Sequence, residues 1–535
     1  MNYTTTGAAL LLSVAALVFP AAASQASKPA FNACVSEPSQ SVGMYSFSTT
    51  EYSPTLIKRN IYASGGGIAN DSYYYSHHYD VIAGLPVIEV SSYSLKDWSV
   101  DDHYSNRTLA NVATDIAYFA PRDEAYACFS NESGTGYLFG KYRFGYFLPE
   151  KICDLEKALA ALDFDSKGTL YAIDWSGDLF TVNTADGSLT KIGSTGVTTS
   201  KITGGAIDRS TDTFYYSVYN TDESAIYTVD LTTAKATKLY TLDNHEQVGG
   251  MYFPETYDGG TPAATSNPTL NFSGTSLSGT IRFRAPQRTV GGEPISGKVT
   301  YHIEANGVEI ATGETSYADG YQSYDIAVDK NGRYCFSLYF SNDAGRGPRS
   351  KTTQYIGQDI PKAPESPRLS YSNGLMKVYW TAAPSTGVNG GPVGTRSYVV
   401  TRYPDGASFN VDSSPFSEQF VPAEERTTYY YTVTTKAGEL LSQPSSTPSF
   451  DMGTVVPPYA EQFPIQASAF CYNWLNQNVD LSDDYSTSNG LRLITMNAPE
   501  EGVFLTTPKI SLRRGHKYDI AMKVRRGNAN YAERL

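Results

Sequence analysis

The 535-residue sequence is poor in cysteine and in charge, and long runs of strong helix formers are nearly absent. Its five cysteines are odd in number and never spaced as CxxC, which argues against a dense disulfide framework and a zinc ribbon. A bond between Cys128 and Cys153 is conceivable, and buried free thiols are the alternative. Because 54 acidic residues outnumber 41 basic ones, no basic surplus can neutralise phosphates, and we expect no nucleic-acid partner.

Common catalytic motifs are also missing. The chain contains no H-E-x-x-H, no G-x-S-x-G and no G-x-x-x-x-G-K-S/T. The acids that could serve a glycosidase are Asp115, Asp163 and Asp208, but they recur at near-equivalent places, whereas catalytic carboxylates should be singular. We therefore predict a protein that is not an enzyme and uses no cofactor, with a glycosidase as the alternative.

One apolar run opens the chain. Residues 8–19 are too few to span a bilayer comfortably, and the small residues AAAS follow them. This arrangement is typical of a secretory signal peptide cleaved near Ala23, even though the first seven residues carry no Lys or Arg. No other segment could form a transmembrane helix, so we expect residues 1–23 to be a signal peptide and the protein to be secreted or on the cell surface.

Tyrosine is abundant, with 42 residues, and threonine and serine are frequent, which is typical of β-structure. Tyr126, Tyr171 and Tyr216 lie at intervals of 45 residues, each within a set of short strands separated by acid- and glycine-containing turns. Four short strands every 45 residues or so predict the blades of a β-propeller. The pattern resembles the LYxID and LYxVDxxTG blades of secreted bacterial propeller proteins.

The two ends of this repeat are similar to each other. GMYSF begins at Gly43 and GGMYF begins at Gly249, and a propeller closes its ring by completing one blade from both chain ends. We therefore predict an all-β protein whose residues 40–256 form a five-bladed β-propeller, with the strands near Met44 and Met251 in one blade.

The stretch DFDSKG, from Asp163, could be a metal-binding loop or a turn within the repeat. Asp208 occupies the position that matches Asp163, and Asp115 is one residue away in its own copy. A recurring acid is more often structural and accepts backbone N–H bonds in a turn or between blades. The stretch also lacks the third acid and the Glu of a calcium loop, so we predict no metal site.

Two matching segments follow a Pro-, Gly- and Thr-rich linker. Their hairpin dipeptides, Asn306-Gly307 and Asp405-Gly406, lie 99 residues apart, and both favour the type I′ turn. Each segment ends in a tyrosine-containing strand, RYCFSL or YYYTV.

The second segment also has a Pro-x-x-Leu-like entry at Pro367 and Leu369 and a strand tryptophan, Trp380, where the first has Phe283. These features resemble fibronectin type III modules. The resemblance implies two seven-stranded β-sandwiches, over residues 262–357 and 362–452, whose aromatic residues are core.

The last segment, residues 457–535, opens with PPYAEQF and continues through LTTPKISLRRGHKYDIAMKVRR. It resembles the opening half of the choice-of-anchor J, or cleaved-adhesin, family, which implies a β jelly roll. Because only about half of such a domain is present, we expect a partial jelly roll that is unstable alone and exposes the alternation of Tyr518, Ile520, Met522 and Val524.

A candidate ligand site lies in SHHYDVIAGLPV, from Ser76, which we predict to be a long loop at one mouth of the propeller. The predicted ligand contacts are His77, His78, Tyr79 and Asp80. The sequence thus predicts an exported, non-catalytic binding or adhesion protein whose partner is an extracellular glycan or protein. A glycosidase and a purely structural cell-surface component are the alternatives.

Overall fold

The computed structural model describes residues 30–82, 85–106, 111–130, 136–143, 149–372, 374–460, 475–477, 480–483, 491–494, 504–507 and 509–522. The predicted signal peptide lies outside them. The chain divides after Thr256 into two compact units. The described residues form strands and three single-turn 3-10 helices, Ser39–Ser41, Asp243–His245 and Tyr317–Asp319, and they include no helix long and apolar enough to cross a bilayer.

The first unit contains twenty strands. In chain order they are β1 (Ala30–Glu37), β2 (Gly43–Ser48), β3 (Thr55–Arg59), β4 (Gly65–Ile68), β5 (Tyr73–Ile82), β6 (Leu85–Ser94), β7 (Val100–Asn106), β8 (Ala113–Phe119), β9 (Glu124–Ser130), β10 (Tyr137–Lys141), β11 (Glu150–Leu155), β12 (Leu159–Phe164), β13 (Leu170–Asp174), β14 (Asp178–Val182), β15 (Leu189–Ser194), β16 (Gly205–Asp208), β17 (Thr213–Tyr219), β18 (Ser224–Val229), β19 (Ala236–Thr241) and β20 (Gln247–Tyr252).

These strands form five four-stranded antiparallel sheets. Four sheets use consecutive strands, β4–β7, β8–β11, β12–β15 and β16–β19, and the fifth has the order β20-β1-β2-β3. We call β4, β8, β12, β16 and β20 the inner strands, because they contact one another in that cyclic order, with β20 returning to β4. The strands that hold Met44 and Met251 both pair with β1 and so share a sheet. Strand β1 lies ahead of residue 40, where the sequence placed the start of this unit.

Both aromatic and small side chains contribute to the packing between neighbouring sheets. Phe119 of β8 packs on Phe164 of β12 with ring centroids 5.4 Å apart. Small residues on the inner strands allow the backbones of neighbouring sheets to approach closely. At Gly205 there is no room for a side chain, because an added Cβ would lie only 2.9 Å from the Cβ of Ala161 in the neighbouring sheet. The core of the first unit therefore lies between the sheets.

The second unit contains two sandwiches. The strands of the first are β21 (Thr269–Phe272), β22 (Ser278–Arg284), β23 (Val299–Ala305), β24 (Val308–Thr315), β25 (Tyr321–Ala327), β26 (Gly332–Asn342), β27 (Gly345–Arg346) and β28 (Ser350–Ile356). Those of the second are β29 (Glu365–Ser372), β30 (Leu375–Thr381), β31 (Ser397–Tyr403), β32 (Ser408–Val411), β33 (Phe416–Gln419), β34 (Thr427–Ala437), β35 (Leu440–Leu441), β36 (Ser445–Ser446) and β37 (Phe450–Met452).

Each sandwich packs a three-stranded sheet against a larger one. The three-stranded sheets have the orders β21-β22-β25 and β29-β30-β33, and the larger ones are centred on β23 with β26 and on β31 with β34. Phe283 and Trp380 occupy the middle strands of the two small sheets and are both buried. The sequence prediction that one core aromatic replaces the other is confirmed.

The two predicted hairpin turns differ. Asn306 and Gly307 both have positive φ, 51° and 82°, as a type I′ turn requires, and they join β23 directly to β24. In the second sandwich only Gly406 has positive φ, 74°, and the strands pair from Thr401 with Ser408 across a wider turn. The type I′ prediction for Asp405-Gly406 is therefore wrong.

Four short strands follow the second sandwich: β38 (Leu475–Gln477), β39 (Asp480–Asp483), β40 (Leu491–Ile494) and β41 (Phe504–Thr506). They form two pairs, β38 with β41 and β39 with β40. Most of the predicted partial jelly roll lies outside the described residues. Tyr518, Ile520 and Met522 are exposed as predicted, but residues 511–522 form no strand, and Val524 lies outside the described residues.

Candidate functional site at one end of the first unit

The predicted site residues lie in a hairpin and not in a loop. Strands β5 and β6 pair over their whole length, from Tyr73 with Ser94 to Ile82 with Leu85. Both strands continue past the start of inner strand β4, where Gly65 pairs with His77. The sequence prediction of a long loop is corrected: the segment is a projecting β-hairpin.

His77 is a core residue. Its imidazole is buried, with Nε2 3.0 Å from the Tyr142 hydroxyl, while Nδ1 accepts the Ala113 N–H at 3.2 Å. Burial lowers the pKa of His77 to about 3, so the ring is neutral at physiological pH. The structure places this residue where it joins neighbouring sheets and where a ligand has no access.

The other three residues lie farther along the projecting strand. His78 is half-buried and packs on Tyr62, with ring centroids 5.3 Å apart. Tyr79 is 40% exposed, and its backbone N–H donates to Ser64 Oγ at 3.0 Å. Asp80 continues the strand, and its backbone pairs with that of Val87. Among the predicted residues whose side chains are described, His78 and Tyr79 thus lie at the surface of this hairpin.

Two further exposed aromatic residues share this end of the unit. Tyr62, 45% exposed, precedes β4, and Trp175, 41% exposed, occupies the turn between β13 and β14. The turn lies beside the start of inner strand β12, because its first residue, Leu159, pairs with Asp174. The starts of β8 and β12 are joined where the Thr114 hydroxyl donates to the Leu159 carbonyl at 2.6 Å. We call Tyr62, His78, Tyr79 and Trp175 the aromatic end.

Sequence reasoning missed Trp175. The sequence signal that could have identified it is its position in the short turn DWSGD, because a large aromatic ring in a turn is not covered by a neighbouring sheet and is expected to be exposed. The turn is held by Asp174, whose carboxylate accepts the Asp178 N–H at 2.9 Å and lies 3.5 Å from Lys157 Nζ. The indole is therefore presented by a fixed turn.

Two inner-strand carboxylates cross between sheets. Asp115 Oδ2 on β8 accepts the N–H groups of Leu162 at 2.9 Å and Gly205 at 3.0 Å, from the two following inner strands. Asp163 Oδ2 on β12 accepts the Ile207 N–H at 2.7 Å. Burial raises the pKa of both carboxyl groups, and that of Asp115 lies well above its usual range. The prediction that these acids accept backbone N–H bonds between repeats is confirmed.

Arg209 extends the same network. Its Nη2 donates to the Tyr118 carbonyl at 2.6 Å and to Asp163 Oδ1 at 3.1 Å, and its Nε donates to the Phe164 carbonyl at 3.1 Å. One guanidinium on the sheet of β16 thus bonds to the sheets of β8 and β12. Its role is to tie three sheets together.

Asp208 has a different role from Asp163. It accepts the Ser210 N–H at 2.9 Å within its own turn, as Asp165 accepts the Thr169 N–H at 2.7 Å in the preceding sheet. Asp208, which the sequence places at the position of Asp163, therefore accepts a bond within its own turn, as Asp165 does. In DFDSKG the first acid joins sheets and the second closes a turn.

The cysteines form no disulfide in the described part of the chain. Cys128 and Cys153 both pair with Phe139, from opposite sides of β10. Two interstrand spacings, roughly 9–10 Å, separate them, which exceeds the reach of a disulfide. Cys34, Cys128 and Cys153 are free thiols, and Cys471 lies outside the described residues. Burial raises the pKa of Cys128 to about 11, which suits a packing role.

No protein-family model matches this chain, and no curated protein matches it. Among solved structures, the crystal structure of the chicken CNTN1 FN1–FN3 domains is 12% identical over 46% of this chain and 89% of its own, with a TM-score of 0.22. A two-domain fibronectin type III segment of chicken tenascin is 17% identical over 36% of this chain and 99% of its own, with a TM-score of 0.17. At these TM-scores the type III-like character of the two sandwiches rests on their own strand order.

Proposed function

We propose that this protein is an exported, non-catalytic binding or adhesion protein. Its first unit is a closed five-bladed β-propeller that recognises a ligand, and its two type III-like sandwiches are the spacer. The cyclic contacts among the inner strands support the propeller, as does the sheet that combines β20 with β1. Export is supported by the apolar run and small residues before Ala23.

The observation that carries the recognition role is the aromatic end. Surface aromatic rings are enriched where proteins bind ligands, because they bury a large area at a small entropic cost. Tyr79 and Trp175 come from different sheets, and both are positioned by regular structure: a paired hairpin and a carboxylate-held turn. An extracellular glycan or protein is the expected ligand, since such rings stack on apolar sugar faces or fill protein pockets.

The spacer role is supported by the joint between the sandwiches. Asp359 is buried, and its carboxylate accepts the backbone N–H groups of Asn389 and Gly391, both at 2.9 Å, and the Asn389 side chain at 2.8 Å. The neighbouring Gln358 donates to the carbonyls of Val393 and Ala437. A joint with this many satisfied polar contacts holds the second sandwich in a defined orientation.

The glycosidase alternative gains no support from the positions of its candidate acids. Asp115 and Asp163 are buried and already accept backbone N–H bonds, and Asp208 is engaged in a turn. General acid and nucleophile roles require a carboxyl group within reach of the sugar.

The test is a binding screen of the full chain against a glycan array and immobilised extracellular-matrix proteins. For any ligand found, Tyr79→Ala and Trp175→Ala should each weaken binding about tenfold or more. Leu189→Ala is the matched control, because this side chain is 38% exposed on an outermost strand, and its binding should not change. A ligand that binds both aromatic variants normally contradicts the proposed site, and a screen without any ligand favours the structural-component alternative.

A further inference from the structure

The exposed face of the small sheet in the first sandwich carries arginines stacked on tyrosines. The Arg284 guanidinium lies 3.6 Å from the Tyr317 ring centroid, and that of Arg282 lies 4.6 Å from the Tyr321 centroid. The Arg284 Nε and Nη2 also donate to the Tyr317 carbonyl, at 3.2 and 3.0 Å. Tyr321 is 60% exposed. These contacts fix the guanidinium groups at the surface beside accessible rings.

These arginines lack the acidic partners that others in the same unit have. On the larger sheets, Arg349 pairs with Glu304 at 3.0 Å and Arg402 pairs with Glu418 at 2.6 Å. Among the described residues, no ion pair neutralises Arg282 or Arg284, and the Arg284 Nη1 donates to no protein group. Their charge and part of their hydrogen-bonding capacity are therefore available to a ligand.

The arrangement recurs on the small sheet of the second sandwich. Arg368 on β29 lies opposite Tyr379 on β30, with its guanidinium 4.9 Å from the ring centroid, and no described carboxylate pairs with it. Lys377 lies two residues before Tyr379 and so points to the same face of the sheet. Two sandwiches of different sequence thus share an Arg-on-Tyr surface.

The charge of the chain is unevenly divided. Residues 1–256 hold 16 of the 41 basic residues but 28 of the 54 acidic ones, whereas residues 257–535 hold 25 basic and 26 acidic residues. The second unit is almost neutral, so its unpaired arginines are not overwhelmed by a surrounding negative field.

We propose that the small-sheet faces of both sandwiches bind a uronate-bearing polysaccharide. The planar guanidinium fork matches a carboxylate, and the adjoining tyrosine ring offers a face to the C–H side of the sugar that carries it. A polymer presents such units repeatedly, as the chain presents Arg-on-Tyr pairs on successive sandwiches. Three arginines are too few for nucleic acid, whose affinity depends on neutralising many phosphates. The type III-like pair is then a binding element in its own right, independent of the aromatic end.

The experiment measures binding of the full chain to immobilised polygalacturonate at low and moderate salt. Arms with neutral dextran, dextran sulfate and polyglutamate separate the uronate from a neutral sugar, a sulfate ester and an acidic peptide. We expect binding to polygalacturonate that weakens with salt and is at least tenfold weaker in the Arg282→Gln/Arg284→Gln double variant. The Lys151→Gln/Lys191→Gln double variant is the matched control, because it also removes two positive charges, from lysines of the first unit that already pair with Asp154 and Asp178.

Circular dichroism and thermal unfolding establish that each variant is folded. Absence of binding to polygalacturonate at low salt overturns the proposal. Equal or stronger binding to polyglutamate, or to dextran sulfate, overturns the assignment to uronate. Equal losses in the lysine control and in the arginine double variant would show that net charge, and not the Arg-on-Tyr surface, is responsible.

Discussion

Protonation of His77 should destabilise the first unit in mild acid. The pKa of this imidazole is about 3 in the folded chain, because burial disfavours the cation, and about 6.5 when exposed. Between these values the unfolded chain binds a proton that the folded chain does not, so the stability contributed at neutral pH is lost as the pH falls below 6.5. The loss is about 2 kcal/mol at pH 5 and approaches about 5 kcal/mol near pH 3.

The assay isolates this effect by comparing variants. His77→Gln removes the titrating group but keeps a polar side chain, so its stability should change less between pH 7 and 5 than that of the parent, by about 2 kcal/mol. Urea unfolding is read by a maleimide pulse at the buried thiol of Cys128, which lies in the same unit. His103→Gln, in an exposed histidine on β7, is the control and should behave like the parent.

The buried carboxyl groups act in the opposite direction and must cancel in the comparison. The raised pKa of Asp115 makes its folded form bind protons more readily, which favours folding in acid and opposes it as the pH rises. That contribution is present in the parent and in both histidine variants. An identical pH dependence in the parent and His77→Gln would refute the reasoning, as would a native-state imidazole NMR titration of His77 centred near pH 6.5.

The remaining predictions concern two glycines with positive φ and the joint between the two sandwiches. Gly250→Ala should cost about 2–4 kcal/mol in urea unfolding, because φ is +57° and the new Cβ would overlap the buried Tyr74 hydroxyl. Gly196→Ala, with φ +79° and open space around it, is the control and should cost only about 1–2 kcal/mol. Asp359→Ala should lower the stability of the second sandwich by about 2–4 kcal/mol and speed proteolysis near residue 359, because Asn389 loses its buried acceptor; unchanged proteolysis would contradict the joint described above.

The repeat could be recognised from sequence, but its register could not. Tyr126, Tyr171 and Tyr216 recur every 45 residues, yet their inner-strand partners are a different position each time: Ala117, Asp163 and Gly205. The turns differ in length by one residue, and each such difference changes which residue of the inner strand pairs with the tyrosine. Composition and period therefore predict the kind of structure, whereas roles such as that of Asp208 depend on pairing.

The candidate site shows the same division. Tyr79 and His78 could be singled out because they interrupt a repeat, but burial of the adjacent His77 depends on Tyr142, which is distant in sequence. The sequence could not predict that Trp175 and Tyr79 lie at the same end of the first unit, because this depends on how their two sheets are arranged. Local patterns specify which side chains are unusual, and only the assembled sheets specify which of them meet.

Strand β1 has a consequence for synthesis. It pairs with β2, which follows at once, and with β20, which ends at Tyr252. At about 5–20 residues per second, a ribosome needs roughly 10–40 s to deliver that second partner. During this interval the nascent chain carries one strand edge with open hydrogen-bonding groups, the kind of surface that recruits wrong partners. Because β20 is synthesised last, the pairing of β1 is completed only at the end of the first unit. A ribosome-stalled chain that ends before residue 247 should therefore be far more protease-sensitive at β1 than one extended past residue 256.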